Sequence, residues 1–281
     1  MLGAPAVIVY TSIVLIPIGI SAGISLTNLN TRFHDTSFVG LNNYFQLFKD
    51  HALQEAFLNT IIITAIVVAI PTLAGLAIAL LLDRATKPFR IMQSIVFIPV
   101  TLSAVVISFV WSTFLTDGGL INSTLRQLHL EGLTQSWLGK PGIALVSIAL
   151  VVSWQMTGFC TIVFLAGLKG VPSELIEAAT IDGASRVQRF AFVTWRFLAP
   201  ALTINVVMLL ITGLRTFDYV IVLTNGGPAG STETVATTIV KLAFQNTRTA
   251  YSSALAMILL IVIATLSALT LRILQSREIE A

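Results

Sequence analysis

Charge is scarce in this sequence: 10% of its 281 residues are Asp, Glu, Lys or Arg, while 56% are hydrophobic. With a mean hydropathy of +0.90, the composition lies outside that of soluble domains and requires long apolar segments. Cysteine is nearly absent. Cys160 has no partner in the chain, so no internal disulfide forms, and its place inside an apolar run suits a small buried residue. There are three histidines, His34, His51 and His129, each expected in a loop without a second ligand at metal-binding spacing. They read as surface residues, and no metal site is expected. No G-x-x-x-x-G-K-[ST] phosphate loop occurs, so any ATP used by this protein must be bound by another chain. No internal repeat and no low-complexity tract interrupts the pattern. The formal net charge of +3 is the imbalance that membrane topology produces and gives no reason to expect a nucleic-acid partner.

What the sequence does contain is continuous apolar runs. A helix needs roughly 20 mainly apolar residues to cross a bilayer, and six stretches qualify: 4–26, 58–82, 91–115, 142–168, 197–223 and 253–274. The expected fold is all-α, a polytopic transmembrane bundle forming one domain over residues 1–281. A β-barrel would show short alternating segments instead. The first run lacks a basic segment ahead of it and carries Pro17, so it reads as a span and not as a signal peptide. Lysines and arginines set the orientation. Placing 83–90, 169–196 and the C-terminal tail on one side collects Arg84, Lys87, Arg90, Lys169, Arg186, Arg189, Arg196, Arg272 and Arg277 in short segments. The remaining seven, Arg32, Lys49, Arg126, Lys140, Arg215, Lys241 and Arg248, are spread over longer ones. Density in short loops marks the cytoplasmic side, so both termini are expected there.

The spans do not read as inert anchors. Pro17, Pro71, Pro99 and Pro200 fall in or beside apolar runs, where neighbouring groups must satisfy the freed carbonyls. Ala65 with Ala69, and Gly75 with Ala79, have the small-residue spacing that lets helices approach closely. Arg215 and Asp218 lie inside the fifth run, three apart and so on one helix face. They either neutralise each other or face a watery path.

The most polar insert is "ELIEAATIDGASRVQRF", residues 174–190. Pro172 suits a first helical turn, and Ser173 and Glu174 put polar and negative groups at its free amides. Leu175, Ile176, Ala179 and Ile181 give a helix too short to span a membrane. Gly183 permits the left-handed turn that ends it. Ser185 and Gln188 have the spacing of a capping box that opens a second helix, running into the fifth span. Such a segment is also what an ordinary helical connection looks like.

"EAATIDGA" resembles the EAA signature of inner-membrane permease subunits of ATP-binding-cassette importers, with Glu177, Ala178, Ala179 and Gly183 at the matching positions. "FVGLNNYFQLF", "FLNT", "FIPV", "SWQMTGF", "FLAGLKGVPSELIEAATIDGA" and "LTNGGPAGSTET" extend the resemblance over nearly the whole chain. Together they are similar to carbohydrate-uptake permeases of the maltose and glycerol-3-phosphate kind. The resemblance implies a type I permease fold in a prokaryotic inner membrane, paired as a heterodimer with a second permease. It also implies two cytoplasmic ATPase subunits, which bind ATP and Mg, and an extracytoplasmic solute-binding protein. This chain would hold no cofactor and would not be an enzyme.

The loop 169–196 would be the coupling loop, with Glu174, Glu177, Ala178, Ala179, Asp182 and Gly183 against the ATPase. The outer residues Asn225, Gly226, Gly227 and Pro228 would meet the binding protein. One departure is Arg196 in "VTWRFLAP", where the family usually has a proline; the helix break expected there is weaker or shifted. The resemblance places the solute path between the fourth and fifth spans. Trp154, Gln155 and Phe159 on the fourth and Thr212, Arg215, Thr216 and Asp218 on the fifth offer hydrogen bonds for hydroxyls and an aromatic face for a sugar ring. The same side chains would also serve as packing and interhelical hydrogen bonds. A sugar or oligosaccharide is the expected solute, with a polyol or glycerol-3-phosphate as alternative; a secondary transporter or channel would need no coupling helix.

Overall fold

The computed structural model describes residues 4–30, 36–83 and 86–276. Arg32, His34, Arg84 and Arg277 lie outside the described residues. The first span is built from α1 (Ala4–Tyr10), a π-turn at Thr11–Leu15 and α2 (Ile16–Ser25). A short α3 (Asn42–Lys49) leads to α4 (His51–Leu82), whose first turn is capped by the Asp50 carboxylate accepting from the Ala52 amide at 3.1 Å. Then follow α5 (Lys87–Thr101), α6 (Ala104–Leu115), α7 (Leu120–Gln127) and α8 (Ile143–Lys169). The insert forms α9 (Ser173–Ile181) and α10 (Arg186–Arg189), and a π-turn at Phe190–Thr194 joins α10 to α11 (Trp195–Leu214). The chain ends with α12 (Asp218–Leu223), α13 (Val235–Val240), a π-turn at Lys241–Gln245 and α14 (Thr249–Gln275). Among the described residues, six helical stretches are long and apolar enough to cross a membrane.

Two expected spans differ from the structure in the same way. The run 91–115 is not one helix: α5 ends at Thr101, Leu102 and Ser103 are extended, and the Ser103 hydroxyl caps α6 by accepting from the Val106 amide at 3.3 Å. The membrane-length stretch here starts at Ala104 and continues to Gln127. The run 197–223 is likewise divided, because α11 stops at Leu214 and α12 starts only at Asp218. Hydropathy sees side chains, whereas these breaks are backbone events inside apolar sequence.

Helix α8 is the centre of the bundle. In its most apolar window 61% of residues are buried, against 0% in the first span and 11% in α14. Its largest interface is with α4; α11 packs on both, and α5 packs on α8. Ile63 and Val67 of α4, Ile148, Val152 and Phe164 of α8, and Leu198 and Leu209 of α11 are fully buried in one cluster. The buried hydroxyls of Thr60 and Ser153 do not disturb this packing because each bonds to its own helix: Thr60 donates to the Ala56 carbonyl at 2.7 Å and Ser153 to that of Ala149 at 2.7 Å. Gly75 and Ala79 are buried as their spacing suggested, with Gly75 facing buried Cys160. Ala65 and Ala69 are exposed on the outer face of α4, so that pair brings no helix close within this chain.

At Gly158 of α8 the backbone of α5 comes so near that an added Cβ would overlap the Val96 carbonyl oxygen and lie 2.9 Å from the Val100 side chain. Gly158→Val should therefore push α5 outward, lowering stability by about 1–3 kcal/mol. A thermal melt of the detergent-solubilised protein would show it. Gly19→Ala, at a position with open space around it, should leave the melting temperature unchanged or slightly raised.

Candidate functional site

The insert folds as a short hairpin of helices standing clear of the bundle. Pro172 is the residue before α9 rather than part of its first turn, with Glu174 in that turn as expected. Helix α9 has no buried residue. Gly183, at φ +76°, makes the turn; its amide donates to the Thr180 carbonyl at 3.1 Å and the Ala184 amide to that of Ala179 at 3.0 Å. The capping box is present: Gln188 N–H donates to Ser185 Oγ at 3.3 Å, and Ser185 N–H to Gln188 Oε1 at 2.8 Å. The Arg189 guanidinium donates to the Thr180 hydroxyl, tying α10 back to α9.

Glu174, Glu177, Ala178, Asp182 and Gly183 are exposed, while Ala179 is half-buried. None of the three acids forms an ion pair among the described residues. Beside them Ile181 is 87% exposed, Val187 77% and Phe192 68%. Unpaired acids next to bare apolar side chains make a surface that a partner can cover. The irregularity associated with Arg196 is shifted: the helix runs through that residue and Pro200, and the distortion is the π-turn five residues long at Phe190–Thr194.

The candidate path residues fall into three settings. Trp154 is 45% exposed, packs edge-on to Trp111 at 5.4 Å, and opens into an apolar recess of about 540 Å³ bounded by α4, α5 and α8. Thr212, Arg215, Thr216 and Asp218 line a separate recess of about 280 Å³ at the break between α11 and α12. Arg215 and Asp218 are both exposed there and form no ion pair with each other. Their shared helix face does not exist, because α11 ends at Leu214 and α12 starts only at Asp218. Thr216 is buried, its hydroxyl donating to the Thr212 carbonyl at 3.0 Å. Phe159 packs against the core and lines neither recess.

Gln155 is 3% exposed, with both ends of its amide engaged. Its Nε2 donates to the Leu102 carbonyl at 2.9 Å, and its Oε1 accepts from the Tyr219 hydroxyl at 2.6 Å. The stripe of Gln155 and Phe159 therefore faces into protein.

The outer loop is a braced turn. Asn225, Gly226, Ala229 and Gly230 all have positive φ. Thr232 donates to the Gly227 carbonyl at 2.8 Å, and Lys241 bonds both Glu233, at 2.6 Å, and the Asn225 carbonyl, at 3.2 Å. Thr234 caps α13 while donating to the Thr216 carbonyl at 2.8 Å. Asn59 and Thr60 of α4 hold the other side, at Glu233 O and Val235 N. Asn225 and Ala229 are exposed, Gly227 and Pro228 are half-buried, and Gly226 is buried beneath Glu233 and Lys241. Of the four residues expected to touch a partner, Gly226 shapes the turn from inside instead.

Sequence reasoning missed Tyr219, Thr234 and the Glu233–Lys241 pair. The pair had a usable signal, since a cation and an anion in an otherwise uncharged stretch are natural partners. His51 and His129 are exposed, and among the described residues no group of His, Cys, Asp and Glu could hold a metal ion.

Membrane-length helices, two of the apolar runs broken mid-course, with an exposed helical insert at one end define a polytopic permease-type subunit. Residues 71–279 match the family described as binding-protein-dependent transport system inner membrane component, and the chain belongs to that family. The sulfoquinovosyl glycerol transport system permease protein SmoG of Agrobacterium fabrum is 33% identical, over 99% of this chain and 90% of that protein. The probable starch degradation products transport system permease protein AmyD of Thermoanaerobacterium thermosulfurigenes is 29% identical over 99% and 94%. The fold is shared with a chain of a bacterial ABC transporter involved in the import of the acidic polysaccharide alginate, at a TM-score of 0.83 and 22% identity, over 97% of this chain and 93% of that one.

Removing the cation of the loop's ion pair should loosen the turn. Lys241→Met should raise amide hydrogen exchange in residues 224–234 severalfold, as expected for losing on the order of 1 kcal/mol from a partly exposed pair. The amount of inserted protein should not change.

Proposed function

We propose that this chain is half of the translocation path of an ATP-driven, binding-protein-dependent importer for a sugar or oligosaccharide. Supporting the solute class are relatives whose names refer to a sulfosugar glycoside and to starch degradation products, matched over almost the full chain. The observation that carries the coupling role is α9, an exposed helix with unpaired acids and bare apolar neighbours in a chain otherwise committed to the bilayer.

In this reading the chain is one transmembrane domain with both termini and 169–196 in the cytoplasm. A second permease completes the path, and two ATPase subunits hold ATP and Mg below. Glu174, Glu177 and Asp182 offer charge to basic groups of the ATPase, Ala178 and Ala179 allow close contact, and Gly183 sets the turn. When the ATPases close, α9 is carried with them. The Arg189–Thr180 bond and the capping box pass that displacement into α10 and, through the π-turn, into α11. Outside, Asn225 and Ala229 are the exposed points of the braced turn that meets the solute-binding protein.

The solute contacts proposed are Trp154 in one recess and Thr212, Arg215 and Asp218 in the other. An aromatic face suits the apolar side of a pyranose. A guanidinium and a carboxylate without an ion-pair partner among the described residues suit vicinal hydroxyls. Gln155, Phe159 and Thr216 support these residues from behind.

Two expected outcomes test the proposal. Glu177→Ala should reduce recovery of the ATPase on tagged permease about tenfold. Gly183→Val should do the same, because a β-branched residue at φ +76° costs about 1–3 kcal/mol, with membrane insertion unchanged in both. Undiminished pull-down and undiminished uptake would reduce α9 to a connector. Arg215→Ala should assemble normally, the side chain being exposed, and lower sugar uptake by proteoliposomes about tenfold; wild-type uptake of every sugar tried would remove Arg215 from the path.

A further inference from the structure

We propose that Gln155 and Tyr219 are positioning residues that clamp the interruptions of two spans into one moving unit. The inference rests on the importer reading for its consequence, though not for its geometry. Each break frees backbone carbonyls within apolar sequence, and where such a carbonyl is shielded from water it must find a partner within the protein. At the first break, between α5 and α6, the Leu102 carbonyl accepts from Gln155 Nε2 at 2.9 Å. At the second, between α11 and α12, the Thr216 carbonyl accepts from Thr234 Oγ1 at 2.8 Å.

The two repairs are joined. The Tyr219 hydroxyl, one residue into α12, donates to the remaining oxygen of Gln155 at 2.6 Å. Gln155 is 3% exposed and Tyr219 is 7% exposed, so neither amide nor phenol has water as an alternative partner. A side chain on central helix α8 thus holds the end of one broken span by its nitrogen and the restart of the other by its oxygen. Hydrophobic contact alone would permit the breaks to slide; a buried amide bonded at both ends fixes their distance and direction.

The consequence lies next to the clamp. Trp154 precedes Gln155, and Asp218 precedes Tyr219. Arg215 and Asp218 flank the second break. Loosening either hydrogen bond lets these side chains drift relative to one another while every helix stays folded. The clamp also continues outward, because Thr216 is held by Thr234, which begins α13 beyond the braced turn. Displacement of that turn therefore reaches Leu102 through Thr234, Thr216, Tyr219 and Gln155.

The test uses the complete transporter in lipid nanodiscs. Tyr219→Phe removes one hydroxyl and keeps the ring. Amide hydrogen exchange should rise about tenfold both in Asp218–Leu223 and in the first turn of α6, residues 103–107, with the melting temperature nearly unchanged. Gln155→Leu should raise exchange in the same two segments, and the double variant should add little to Gln155→Leu alone. A rise confined to α12 in Tyr219→Phe, or additive effects in the double variant, would overturn the clamp. In proteoliposomes, KM for the best-transported member of a radiolabelled mono-, di- and trisaccharide panel should rise about tenfold in Tyr219→Phe at equal amounts of assembled complex; an unchanged KM would overturn the positioning role. If the wild type transports none of the panel, the sugar reading fails, and the exchange measurements, which need no solute, still decide the clamp.

Discussion

In hydrocarbon, a backbone carbonyl that leaves its helix must be met by another protein group, and this constraint organises the centre of the molecule. An unbroken α-helix satisfies it by itself. Two of the apolar runs here are broken, at Leu102–Ser103 and at Arg215–Phe217, and each break draws in side chains from elsewhere in the chain. Ser103 caps α6, Gln155 meets Leu102, and Thr234 meets Thr216. The burial of Gln155 and Thr234 among apolar side chains is therefore a consequence of the breaks. Arg215 and Asp218 come to face open space because the helix that would have carried them stops at Leu214.

Packing follows a gradient set by the same central element. Helix α8 is enclosed by α4, α5 and α11, while the first span and α14 turn most of their surface outward. An apolar outward face needs no special design in lipid, which is as apolar as leucine. It is around the enclosed helix that small residues matter: Gly75 of α4 faces Cys160 of α8, Gly158 of α8 faces Val96 of α5, and Gly213 of α11 meets Thr64 of α4 as closely. Ala65 and Ala69 have the same spacing and face the other way. Spacing shows that two small residues share a stripe and says nothing about what lies opposite.

Much of the architecture was legible because its signals are local. Continuous apolar runs located the helices at 4–26, 142–168 and 253–274 to within a few residues; the helix of 58–82 begins seven residues earlier, at His51, and in place of 91–115 and 197–223 the membrane-length stretches are Ala104–Gln127 and Arg186–Leu214. Ser185 with Gln188 and the turn at Gly183 were readable because capping and left-handed backbone depend on residues a few positions apart. The interrupted runs were not legible, since α5, α6, α11 and α12 are apolar on both sides of the interruption. Gln155 was singled out for its polarity, yet its partners are 53 and 64 residues away. No local pattern distinguishes an amide that faces a path from one that spans between helices. The outer turn shows the converse: its glycines were visible, but Gly226 lies beneath an ion pair whose members come from Glu233 and Lys241.

The π-turn at Phe190–Thr194 separates chain length from helical phase. A π-turn holds one residue more than the α-helical turn it replaces, and one residue corresponds to about 100° of rotation around an α-helix. Within Phe190–Thr194 the chain has a register reserve: loss of one residue there can be absorbed by tightening to α-helix, leaving α9–α10 and the inward face of α11 each in its own phase. The same loss between Leu198 and Leu209 would turn one of them about 100° away from the buried face that they share. The insert α9–α10 can therefore lose one residue at this joint without turning the packed face of α11.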